Sequence, residues 1–338
     1  VSEAVFHKIQ LGRQSVVGTG VAATTVFPAD AGFLGFELDR ASESPNEDFG
    51  SSSREQPGRR STGVRGAQAS LPFVGRFQDL MHILEMHVAG SVAPTGSGPY
   101  VYTYTFDDTA DTIKYYTVQY GDENSTQDEW RAIGVLCNEL EFGFDALSSP
   151  GNSMWQGTAG LLALDRAPNA MTGSLSAPAT LETMEGHLST LAIGSTATAF
   201  ASLTDQTATL KSFRFTSTLN AARRAYGGTS DTATAYGRSD KGEVEWESLI
   251  KITSGTKTSV LDVFEVAGSL PTEQRFRVSI DGSGNNVATI DFRSTFTSVD
   301  LGDHEGEHLY LAKGVWVKDA TLGGRGRVTL TNDISAVP

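Results

Sequence analysis

The chain has a single cysteine, Cys137, in 338 residues. That rules out a disulfide framework and a cysteine-built metal cluster within it. Positive charge is also scarce: 26 Lys and Arg stand against 40 Asp and Glu, a formal net charge of −14. A module that grips nucleic acid normally presents a basic surface, because neutralised phosphates supply most of its affinity. The balance therefore disfavours DNA or RNA binding. It suits a surface that DNA passes without sticking, or a protein that must not associate prematurely. No apolar run approaches the roughly 20 residues of a membrane-spanning helix. The first residues, VSEAVFHKIQLG, lack the basic-then-apolar plan of a secretion signal, so the expected compartment is a reducing cytoplasm.

Catalytic signatures are equally thin. Gly18-Thr19-Gly20 is followed neither by the Lys-Ser/Thr of a phosphate loop nor by the glycines of a dinucleotide fingerprint. No Gly-x-Ser-x-Gly nucleophile elbow is visible. His304-Glu-Gly-Glu-His308 matches the zinc-protease pattern, but that chemistry needs a helix and a third ligand. Gly302 and Gly306 weaken a helix, the flanks read as strands, and no glutamate follows His308. A charged turn between two strands is the expectation. Cys137 sits inside a strand pattern and reads as a small core residue. The chain is thus expected to be no enzyme, with no catalytic residue, cofactor or bound metal.

What is abundant is β-structure. Thirty-six glycines and many Thr and Ser point to strands and turns. Tyr100–Phe106 places aromatics at every second position, and Val135–Phe144 puts Leu136, Leu140, Phe142 and Phe144 on one face against Glu139 and Glu141. Landmarks recur in order. HVAG at His87–Gly90 returns as EVAG at Glu265–Gly268, 178 residues on. Phe36 matches Phe213, Gly18 matches Gly194, and Phe106 matches Ile280, with spacings of 174 to 177. The chain reads as one β-fold written twice, with a Pro- and Gly-rich boundary near Ala170, giving domains 1–170 and 171–338. Each is expected to carry one short helix packed on a sheet, at Phe77–Met86 and Ser259–Val266, the second opened by a capping-box-like Ser259-x-x-Asp262. A structure in which residues 180–338 are mainly helical, or form one sheet with residues 1–170, would count against the duplication itself.

Residues 41–66 are polar with almost no apolar anchor and hold Glu47, Asp48, Arg54, Arg59, Arg60 and Arg65. A structureless stretch this long inside a compact fold is usually functional or a linker. It reads as an extended hairpin arm that orders on a partner, or as a plain surface loop. The matching place in the second half, Asn220–Lys241, carries Arg223 and Arg224. These eight charged residues are the candidate inter-ring contacts.

The runs LGRQSVVGTGVAATTVFPAD, GFLGFELDR, EDFG, FQDLMHILEMHVAG and YTYTFDD…YYTVQYGDE together resemble the tail tube (major tail) proteins of long-tailed, non-contractile bacteriophages. The likeness is best over residues 9–145. It implies a mainly β fold of two tandem tail-tube-type β-sandwiches with packed helices and long hairpin loops. It also implies self-assembly into stacked rings, three two-domain chains to a ring, in the virion tail. The other implied partners are the tape-measure, tip and terminator proteins, with DNA passing through the channel unbound and no membrane contact. Another β-rich phage component, such as a connector, baseplate or adhesin module, shares the composition without forming uniform tubes.

Overall fold

The structure, a computed structural model, describes residues 7–28, 32–43, 61–88, 94–106, 113–122, 128–145, 153–175, 180–206, 209–224, 235–238, 242–265, 271–304 and 306–335. Glu47, Asp48, Arg54, Arg59 and Arg60 lie outside the described residues, as do both Ala-Gly pairs of the VAG repeats.

The fold is mainly antiparallel β. The first half contributes β1 (His7–Arg13), β2 (Thr25–Phe27), β3 (Glu37–Glu43), β4 (Ser61–Val74), β5 (Tyr100–Thr105), β6 (Tyr116–Asp122), β7 (Glu129–Asp145), β8 (Gln156–Ala163) and β9 (Asp165–Pro168), with helix α1 (Leu80–His87) between β4 and β5. The second half contributes β10 (Ser189–Ser195), β11 (Thr204–Asp205), β12 (Leu210–Thr218), β13 (Ala221–Arg224), β14 (Ala235–Arg238), β15 (Val244–Lys251), β16 (Gln274–Asp281), β17 (Val287–His304), β18 (Glu307–Val317) and β19 (Gly326–Asn332).

The strand pairings occur twice. In the first half β1 pairs with β2 and β6, β4 with β3 and β8, and β7 with β6, β8 and β9. In the second half β10 pairs with β11 and β16, β15 with β12 and β18, and β17 with β16, β18 and β19. Each long strand, β7 and β17, serves two layers. Its first part pairs with one set of strands, β6 and β9 or β16 and β19, and its second part with another, β8 or β18.

The halves do not keep separate sheets: they share one, the outcome set against a simple duplication, and what recurs is the pairing pattern. β12 pairs along β7, from Ser212 opposite Asp145 to Thr218 opposite Glu139. β5 crosses to β19. The larger sheet therefore runs β3-β4-β8-β7-β12-β15-β18-β17, two passes of one four-strand unit. The reason is edge satisfaction: an unpaired strand edge is a row of open donors and acceptors, and the second half covers the first half's edge. One buried cluster spans both halves. Its aromatic rings touch in series, Phe142 to Phe215 at 6.2 Å, Phe215 to Trp316 at 5.2 Å, and Trp316 to Phe292 at 4.8 Å. Each such pair adds about 0.5–1.5 kcal/mol beyond burial.

The helices depart from expectation in extent. A turn at 77–79 precedes α1, and all eight α1 residues are buried, including His82, Glu85 and His87. It is a core helix rather than a one-faced one. The second helical segment, 254–264, begins five residues before Ser259, because Thr253 makes the capping box: its hydroxyl accepts from Thr256 N at 3.1 Å, and Thr256 Oγ1 accepts from Thr253 N at 2.8 Å. Its middle, Lys257–Leu261, is a π-helix. There Ser259 Oγ donates to Gly255 O at 2.8 Å, a side-chain bond that competes with the backbone ladder. The linker after β9 stays tied to the first half: Thr172 N donates to Gln10 Oε1 at 3.0 Å, and Met184 N to Gly75 O at 2.8 Å.

Candidate assembly surface

The joint between the halves is built from alternation. On β7, Leu140, Phe142 and Phe144 point into the core; on β12, Phe213, Phe215 and Ser217 do so. Antiparallel pairing sets Phe142 opposite Phe215 and Phe144 opposite Phe213. Trp155 closes the end, 4.9 Å from Phe142 and 5.0 Å from Phe144. α1 braces the joint from behind: His87 bonds Cys137 O at 3.0 Å through one ring nitrogen and Ser217 Oγ at 2.8 Å through the other. The bulge residue Asn138 caps the end of β12, accepting from Leu219 N and Ala221 N, both at 2.7 Å.

The other face of this sheet is polar. Glu37, Gln68, Ser70, Glu139, Glu141, Glu245, Glu247 and Asp300 lie on it with Arg214 and Lys313. Arg214 pairs with Glu141 across the joint at 2.9 Å, and Lys313 with Glu247 at 3.4 Å. Lys211 and Lys251 both reach Glu307, whose carboxyl their hydrogen bonds hold below its ordinary pKa. Two shallow hollows on this face correspond between the halves. One is lined by Glu37, Gln68, Ser70, Asn138, Gly160 and Leu162, the other by Thr216, Glu245, Glu247, Thr297, Lys313 and Val315.

Among the described residues no further strand lies beyond either end of the sheet. Among the described residues β3 pairs with β4 alone, and the Ser298–His304 stretch of β17 with β18 alone. Both edges expose large apolar side chains: Leu34 and Leu38 at the β3 end, Leu301 at the β17 end.

His304 to His308 is the hairpin tip joining β17 to β18, not a helix. Gly306, at φ +80°, makes the turn, its N–H donating to Asp303 Oδ1 at 3.2 Å. His308 is exposed, 3.8 Å from Asp303. Cys137 is fully buried, with its thiol donating to Glu139 O and its pKa pushed up by burial.

Of the candidate arm residues, Arg65 lies within the first half, 3.1 Å from Asp165 and donating to Arg166 O at 2.8 Å. Arg223 and Arg224 sit on the β13–β14 hairpin. Arg223 lies against Gly66 of β4, and Arg224 against Gly237 across the hairpin. The hairpin is held down by Tyr236, which stacks on Tyr115 at 5.7 Å and donates to Gly134 O at 2.7 Å. The described part of the second-half arm thus rests on the first half of its own chain.

Sequence reasoning missed the titratable groups of the α1 segment. Burial pushes Asp79 up to about 6, raises Glu85, and lowers His82 to about 4. Tyr116 donates to Glu85 Oε2 at 2.7 Å, and Arg13 stands 3.5 Å from the same oxygen. Glu85 is fully buried, so this is a core network rather than a site a solute reaches. No described helix is long and apolar enough to cross a membrane. No protein-family model matches the chain, and no curated protein matches it.

Proposed function

We propose that this chain is a structural subunit that joins edge to edge with its own copies into rings, which stack into a tube of the phage tail type. The carrying observation is the sheet of two four-strand passes whose edge on each side has no partner among the described residues. Open edges of this kind are an aggregation hazard unless a partner covers them, and head-to-tail joining closes into a ring when the rotation allows. The polar face, richer in carboxylates than in cations, would line the channel, where like charge lets DNA slide without binding. Three chains to a ring follow from the resemblance, as six units of this kind. In this reading the protein performs no chemistry of its own, and its assembly place is the virion tail.

Electron microscopy of the purified protein after concentration tests the reading. Uniform hollow tubes or rings are expected. Single particles at every concentration would favour a non-polymerising virion component such as a connector, baseplate or adhesin module.

A further inference from the structure

The two halves can be superimposed residue by residue through their bulges. In the first half β7 bulges against β8 between Cys137 and Glu139; in the second, β17 bulges against β18 between Phe296 and Ser298. Setting the bulges together places Ser298–His304 on Glu139–Asp145, and Leu301 on Phe142. Counting through the partner strands places Ala69 on Trp246, and then Phe36, the residue before β3, and Leu38 on Phe215 and Ser217.

Burial differs sharply at these matched positions. Phe142 and Ser217 are 2% and 3% exposed, inside the joint. Leu301 and Leu38 are 71% and 51% exposed, on the two sheet edges. They sit on positions that the internal joint buries.

We propose that the Ser298–His304 edge of β17 receives β3 of a second copy of this chain, in the register that β7 uses for β12. Val299 then lies opposite Leu38, and Leu301 opposite Phe36, the residue that precedes β3. The occupant is a second copy because the chain carries both matching edges and already shows the joint once, between its own halves. One contact opposes the joint: Glu37 and Asp300 face each other on the polar side, a like-charge pair where the internal joint has Thr216 opposite Glu141. Association therefore strengthens with added salt, which screens exposed charge. The proposal rests on the tube reading only for what the joined copies build, not for how two copies meet.

The test is cross-linking of the full chain. In the Leu38→Cys/Val299→Cys variant the two thiols lie seven strands apart within one chain, about 34 Å at the usual strand spacing, so a disulfide between them needs two copies. Mild oxidation should give a ladder of covalent multimers on a non-reducing gel, abolished by reductant. Leu38→Cys/Asp300→Cys, one residue out of register and on the opposite face, should give at least tenfold less. Both changed sites lie at the sheet edges, and a melt like the parent's checks that the fold is kept. A ladder without tubes in the microscope supports this joint and overturns the tube reading. Tubes with no ladder, or equal ladders from both pairs, overturn the joint and leave the tube reading standing. Neither ladder nor tubes overturns both.

Discussion

β7 and β17 occupy matching places in the two halves and meet different fates. β7 has β12 along its outer edge, with Phe142, Phe144, Phe213 and Trp155 packed behind it. β17 at the same place has only β18 among the described residues, and presents Leu301 where β7 presents Phe142. Where the first half sets Phe144 beside Trp155, the second sets Asp303 beside His308, both exposed. The helices behind the two edges differ in step: α1 is buried throughout, whereas the 254–264 segment buries only Thr256 and Val260. One joint is sealed as core. The other keeps an apolar centre but ends in charge, a common way for an exposed edge to resist indiscriminate pairing.

The largest difference is expected from aromatic truncation. Phe215→Ala leaves a cavity among Phe106, Phe142 and Trp316 and should cost about 3–5 kcal/mol in denaturant unfolding. Leu301→Ala, at the open edge, should stay within about 0.5 kcal/mol of the parent as a monomer. Equal losses would erase the distinction between the joints.

Acid should loosen the sealed joint's side of the molecule first. Burial, with Arg13 adding to it, lowers the His82 pKa from 6.5 to about 4. The folded state keeps the ring neutral while the unfolded chain takes a proton below its ordinary pKa. The stability this gives is full above about pH 6.5 and falls away toward pH 4, by about 3 kcal/mol in all. Asp79 and Glu85 are raised by burial and work the opposite way. The informative quantity is therefore a difference: between pH 7 and about pH 4.5, His82→Gln should lose about 2 kcal/mol less than the parent. Parallel losses would mean that His82 is not held neutral.

Asp303→Phe restores the residue type found at the sealed joint. It should tighten self-association about tenfold, or about 1.4 kcal/mol, read by sedimentation. No change would show that the charged strand end does not restrain pairing. The smallest effect belongs to the polar face. Arg214 and Glu141 are each about half exposed, so a double-mutant cycle across the sealed joint should give about 0.2–1 kcal/mol.

Much of the architecture was legible because β-strands write their faces as alternation. Tyr100–Phe106 and Val135–Phe144 read that way, and the recurring landmarks suggest two like halves. The constant spacing misled in detail. β5 has no counterpart in the second half's pairing pattern, so β16 answers to β6 rather than to β5, and the Phe106–Ile280 match fails. Phe36 answers to Phe215, not Phe213, because register is set by hydrogen bonds and bulges that leave no mark on composition. The 254–264 segment was misplaced because its cap is a pair of threonines, Thr253 and Thr256. The burial of His82, Glu85 and His87 depends on strands distant in sequence, such as those of Tyr116, Cys137 and Ser217. The open edges could not be read at all, since whether a strand has a neighbour is a property of the whole fold.

Amide hydrogen exchange on monomer and assembled protein tests the central claim most directly. In the monomer, outward-facing amides of Ser298–Leu301 and Glu37–Asp39 should exchange fast, and those of Glu139–Asp145 slowly. After assembly the two edges should become protected to the level of Glu139–Asp145, with no change at that internal joint. Assembly that leaves both edges exchanging at the monomer's rate would contradict the account.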